Sequence, residues 1–141
     1  MSNLRELARQ ALVTKVQSLK STFTAYPLEI EFANGQKVNT ATQATPYLRV
    51  ALVYQDGMQI DLALEPEHRL MGVILVEACV KEGAGTRQAN ELLAHFYPGL
   101  HMQASIGPIR TRAARFTSKP PVEGWVAEAA VIPFWVDSIG H

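Results

Sequence analysis

The sequence predicts an α+β fold: a mostly antiparallel sheet with two helices packed on one face, formed as a single domain over residues 1–141. Three observations predict it. Two segments, one at the start and one past the middle, carry apolar residues at helical spacing. Several others carry β-branched and apolar residues, in alternation or in short runs, bounded by Pro, Gly, Asn and Asp. The order is helix, strands, helix, strands, unlike the strict alternation that makes a parallel sheet.

The first helix rests on Leu4, Leu7, Ala8, Ala11, Leu12, Val16 and Leu19, which line one face. Asn3 with Glu6 resembles a capping box, and Arg5, Arg9, Lys15 and Lys20 fall on the remaining surface. Leu28 to Phe32 then alternates with period two and follows Pro27, where a missing N–H costs little. Asn34-Gly35 supplies residues tolerant of the positive φ that a tight hairpin needs. Asn39 to Thr45 reads as a loop.

Pro46 opens a strand over Tyr47 to Tyr54, and Asp56-Gly57 offers a second hairpin turn. Met58 to Arg69 reads as loop with some strand. Leu70 to Val80 is apolar on both faces and predicts a central buried strand. Gly83-Ala84-Gly85 breaks the chain, and Thr86 is a suitable N-cap. The helix that follows carries the stripe Ala89, Leu92, Leu93, Phe96 and stops at Pro98-Gly99. Residues 101–116 read as a strand pair or bent strand interrupted at Gly107-Pro108, and Pro120-Pro121 reads as a turn. The last strand runs from Gly124 to Val136, with Pro133 suggesting an edge or a bulge.

Composition excludes several classes. Hydrophobic residues at 48% and charged residues at 18% suit a globular domain, not a disordered chain. Thirteen basic against thirteen acidic residues give no gross signal for nucleic acid. Met1 to Glu6 does not read as a secretion signal, and no apolar run is long enough for a membrane helix. No membrane partner is therefore expected, and synthesis in a cytoplasm is. The single cysteine, Cys79, excludes an intrachain disulfide. Its apolar surroundings predict a buried small hydrophobe in place of a reactive thiol.

Motifs for chemistry fail in detail, so no catalytic residue, cofactor or metal is expected. Gly83-x-Gly85 before a helix resembles a phosphate cradle, but Gln88 holds the third glycine position and no P-loop lysine follows. Glu91 and His95 stand at i, i+4, yet no second histidine joins them, so a solvated helix face is the better reading. His68, His101 and His141 are scattered, and no Gly-x-Ser-x-Gly elbow occurs.

Charge is uneven locally. Leu100 to Pro120 holds Arg110, Arg112, Arg115 and Lys119 with no acid, and Arg110 and Arg112 share a strand face. Asp56 to Glu67 holds Asp56, Asp61, Glu65 and Glu67 with no Lys or Arg. These segments form either two solvated surfaces or a head-to-tail subunit interface, which closes into a ring where the rotation permits. The acids could alternatively line the hole of such a ring.

Taken in order, these features resemble the phage tail terminator-like family. The resemblance rests on the N-terminal helix, the strand after Pro27, Pro46-Tyr47-Leu48-Arg49-Val50, and Gly72 to Val80. Gly83-Ala84-Gly85 before a helix ending at Phe96-Tyr97-Pro98-Gly99, and Gly124-Trp125 opening a strand to Trp135, complete it. It covers about residues 26 to 137 and implies a structural virion protein, not an enzyme. The family forms a homohexameric ring on the head-proximal end of the tail tube and meets the head–tail connector. DNA passes through without sequence-specific binding. The segment from Asp56 to Arg69 departs from the shared pattern. A head–tail neck adaptor, or a small-ligand-binding domain using the Gly83–Thr86 turn, are the competing readings.

Overall fold

In a computed structural model of the chain, the described residues are 4–32, 43, 45–59, 68–83, 87–103 and 106–137, with 4, 55–59, 68–70 and 137 described as backbone only. Helix α1 (Leu4–Lys20) leads to strands β1 (Ile30–Phe32), β2 (Tyr47–Gln59) and β3 (His68–Lys81). Helix α2 (Arg87–Phe96) and a 3-10 turn (Tyr97–Gly99) follow, then β4 (Arg110–Thr111), β5 (Arg115–Val122) and β6 (Trp125–Asp137). The six strands form one sheet in the order β1-β2-β3-β6-β4, with β5 also on β6. All pairs are antiparallel except β1 with β2. The α+β architecture is therefore as expected, and β3 is the central strand.

Both helices lie on one face. Ala8, Leu12 and Val16 of α1 and Ala89, Leu92, Leu93 and Phe96 of α2 share one core with Leu48, Val50, Ile74, Val76, Ile132 and Phe134. The α2 stripe is buried as its spacing predicts, because 3.6 residues per turn put those four positions over the sheet. Leu7 falls at the edge of the α1 stripe and is 43% exposed. His95 corrects the solvated-face reading. It is partly buried and its Nε2 lies 2.9 Å from both Thr22 Oγ1 and the Leu19 carbonyl, tying α2 to the end of α1. Glu91 remains exposed and accepts from Arg87 at 2.9 Å.

Four local expectations are corrected. First, β1 runs parallel to β2, with Ile30 opposite Leu48, so a tight hairpin at Asn34-Gly35 cannot join them. Residues 34 and 35 themselves lie outside the described set, as do Asn3, the stretch 84–86 with its proposed cap Thr86, and residues 60–67. Second, Asp56-Gly57 is not a turn. The β2–β3 ladder passes through it with a shift between Gln55 and Met58, one extra residue on β2, which is a β-bulge.

Third, Pro120-Pro121 lies within β5, and the turn is Glu123-Gly124, with φ of 52° and 83° between the paired Val122 and Trp125. The prolines fit because β5 is an outer strand and the ladder is irregular between Lys119 and Val122. Fourth, the chain before β4 turns tightly at Gly107-Pro108, where Ile106 and Ile109 exchange backbone bonds of 3.2 and 2.8 Å. The main interruption falls later, at 112–114, between β4 and β5. Pro133 sits there, in an inner strand and not at an edge. Its carbonyl accepts from the Arg112 N–H at 2.9 Å, so its nitrogen faces the same broken side, where no donor is needed.

Gly72 has its own reason. A Cβ there would lie 2.0 Å from the Val53 carbonyl oxygen. Its cross-strand neighbours Tyr54 and Phe134 close over it, ring centroids 5.6 Å apart.

Candidate functional site

Strand alternation gives the sheet a second face, and neither helix covers it. Its residues are the odd-numbered ones of β3, of β6 and of β2 ahead of its bulge. The register lines them up in rows: Ala51, Leu75, Val131 and Arg115 form one, and Val53, Val73 and Pro133 another. Met71 and Trp135 align with Arg110 in a third. Val53 is 49% exposed although apolar, and Ala51, Met71, Val73, Leu75, Val131 and Trp135 are only half-buried. An open apolar sheet face of this kind marks an interaction surface more often than a solvated one.

At one end of this face the residues are polar and ionic. Glu31, Arg49 and Glu77 stand opposite one another on β1, β2 and β3. The Arg49 guanidinium donates to Glu31 at 3.0 Å, to Glu77 Oε1 at 3.5 Å and to the Tyr47 hydroxyl at 3.1 Å. Glu77 is 3% exposed. Ala127 and Ala129 on β6 are small enough for Lys119 to reach across from β5, and its Nζ lies 2.7 Å from Glu77 Oε2. That contact is off the hydrogen-bonding direction, so this oxygen is held by charge and has no hydrogen bond among the described residues. Two cations, Arg49 and Lys119, face two carboxylates, Glu31 and Glu77.

Tyr47, Cys79 and Trp125 form a small apolar layer beside the cluster, with the Tyr47 and Trp125 rings 5.1 Å apart. Burial, reinforced by Cys79, pushes the Tyr47 hydroxyl up to about 12. Burial also raises the Cys79 thiol, so both groups are neutral near pH 7 and Cys79 is the buried small side chain expected. Desolvation opposes the Arg49 charge, but its partners, Tyr47, Glu77 and Glu31 among them, outweigh it and hold the guanidinium protonated. The cavity over these residues measures about 140 Å³.

The other end of the face is basic. Arg110 stands opposite Trp135 and Arg115 opposite Val131, while the Arg112 guanidinium lies 4.8 Å over the Trp135 ring. All three are exposed and carry no ion pair among the described residues. The structure thus brings these predicted residues to one edge of one face. Lys119, from the same basic run, is taken up by Glu77. Of the predicted acids, Asp56 lies on the bulge of β2 and its side chain is outside the described set; Asp61, Glu65 and Glu67 lie wholly outside it.

Sequence reasoning did not find the Glu77 cluster. Glu77 registers only as the acid interrupting an apolar run, and its partners stand 46, 28 and 42 positions away in the chain, at 31, 49 and 119. The legible signal was an acid and a base on strands that each hold a single charge in an apolar stretch, which asks for a partner. Among the described residues no three His, Cys, Asp or Glu converge as a metal site, and no helix is long and apolar enough to cross a membrane.

No family model matches the chain, and no curated protein matches it. Solved structures do match, 17 chains in all. One of them superimposes with a TM-score of 0.69 over 100% of this chain and 99% of that chain, at 19% identity; its printed name is a sequence identifier without functional meaning. At that identity the likeness concerns the fold alone: a solved structure shares this α+β architecture from end to end.

Proposed function

We propose that the chain is a structural ring subunit of a long-tailed phage, a tail terminator that caps the tail tube and meets the head–tail connector. The observation that carries the reading is the helix-free sheet face, half-exposed, apolar, and edged by three exposed arginines that carry no ion pair among the described residues. A surface of that composition suits a permanent protein contact better than water. The ordered family resemblance supplies the particular assembly: a homohexamer, with DNA passing through its hole.

The Glu77 cavity favours a second reading, a small-ligand site, since titratable groups gather around it. The details weigh against it. Its charges are already paired, Tyr47 and Cys79 are pushed toward their neutral forms, and about 140 Å³ falls below the range of about 300–1,000 Å³ usual for ligand pockets.

Native mass spectrometry and electron microscopy of the protein mixed with tail tube subunits test the proposal. Six-fold rings seated on tube ends, with tube growth halted, are expected. A protein that stays monomeric and leaves tubes growing overturns it.

A further inference from the structure

We infer that the buried Glu77 carboxylate is a binding site for a primary ammonium group, filled in this chain by its own Lys119 and able to take a free alkylammonium ion once Lys119 is withdrawn. The inference stands apart from the ring reading. Glu77 lies on the central strand β3, paired on both sides, and is 3% exposed. A carboxylate buried to that degree needs a cation beside it. Arg49 donates to one oxygen, Oε1, at 3.5 Å, a long contact from a guanidinium that also serves Glu31 and the Tyr47 hydroxyl. The other oxygen, Oε2, is buried and has no hydrogen-bond donor among the described residues; the Lys119 ammonium stands 2.7 Å from it.

The two halves of this contact are held unequally. Every residue of β5 is exposed, the strand pairs with β6 alone, and its ladder becomes irregular just after Lys119. The Lys119 side chain is 43% exposed, against 3% for Glu77. The acid is therefore fixed by the sheet, while the base is a long side chain laid over it from outside. Small residues open the path: Lys119 pairs with Ala127 and Glu77 with Ala129, so the lysine stem crosses β6 over two methyl groups. Beside that path lies the cavity of about 140 Å³, walled by Tyr47, Trp125, Pro120 and Val122. It offers apolar surface to a short unbranched alkyl chain. The carboxylate selects the head group. It requires positive charge, Oε2 requires an N–H donor, and Arg49 already occupies the other side, which favours a compact ammonium over a second planar guanidinium.

Lys119→Ala in the full chain tests this by thermal unfolding near pH 7. The variant is expected to melt at least about 5 °C below the unaltered chain, because a buried charge loses its partner. Added n-butylammonium chloride is expected to restore much of that loss and to saturate with concentration, as a ligand of the folded state does. Sodium chloride is expected to restore little, and so is tetramethylammonium chloride, a cation without N–H. The unaltered chain, its site already filled, is expected to gain no more from n-butylammonium than from sodium chloride. Lys119→Ala combined with Glu77→Gln is expected not to respond, since the amide carries no charge. Where either variant does not fold unaided, the yield of folded chain against n-butylammonium concentration is read in place of melting. A Lys119→Ala chain as stable as the original overturns the inference, as does a loss that n-butylammonium leaves unrepaired. Equal repair by tetramethylammonium, equal stabilisation of the unaltered chain, or repair that persists with Glu77→Gln overturns it too. None of these outcomes depends on whether the chain forms rings.

Discussion

On the face that the helices cover, Leu48, Val50, Ile74, Val76, Ile132 and Phe134 are almost fully buried. On the other face the intervening residues of the same strands include Arg49, Val53, Glu77 and Trp135, and a charged cluster stands where a core would be. The two faces have one backbone and one register, so the difference lies wholly in side-chain chemistry. It teaches that the covered face carries the folding of the chain, and that the open face is free to be selected for something else. A buried ion cluster adds little net stability compared with apolar packing, and its value lies in a fixed geometry.

The largest break in this comparison is expected at Phe96. It is fully buried, and it packs on the covered face with Leu92 and Leu93. Phe96→Ala is expected to cost roughly 3–5 kcal/mol, measured by denaturant unfolding. A variant as stable as the original chain means that the α2 stripe does not anchor the fold.

A smaller effect is expected at Tyr47, on the open face. Its folded-state value of about 12 lies above the value of about 10 for an unfolded tyrosine. The folded state therefore holds this proton more tightly. The contribution is fully present below about pH 10 and is lost as pH rises toward about 12. Stability measured from pH 9 to 12 should fall more steeply in the original chain than in Tyr47→Phe. Parallel curves would show that the hydroxyl is not desolvated.

The smallest effect is expected at Val53, 49% exposed on the open face. Val53→Glu should change the stability of the isolated chain by no more than about 0.5 kcal/mol, while weakening self-association. A loss of stability comparable to that of Phe96→Ala would mean that this face is covered within the single chain, and the contrast between the faces would disappear.

Much of the fold was legible because it follows local periodicity. Ala89, Leu92, Leu93 and Phe96 announce one helix face, and the run from Leu70 to Val80 announces a strand buried between neighbours. The parallel pairing of β1 was not legible, since nothing in Leu28 to Phe32 encodes the direction of its neighbour. Asp56-Gly57 misleads because tight turns and β-bulges use the same residues, and only the partner strand tells them apart. Likewise, Pro120-Pro121 reads as a turn until β5 is seen to be an outer strand. The arginine edge was half legible: Arg110 and Arg112 could be put on one face by counting in twos, but Trp135 comes to them only through the register of β4 on β6. Of the Glu77 cluster only the lone charges Arg49 and Glu77 in apolar strands were legible; its assembly was not, since five strands must pair before its members meet.

The two prolines in β5 have a consequence for aggregation. An outer strand exposes a row of free amides and carbonyls on which further chains can nucleate fibrils. Along β5 that row is interrupted, because Pro120 and Pro121 offer no amide hydrogen. Successive residues of a strand aim their amides to opposite sides, so an incoming strand would find at least one bond missing at this pair and an irregular ladder beside it, which disfavours a continuous cross-β stack. A chain with an open apolar face gains from an edge that discourages indefinite polymerisation.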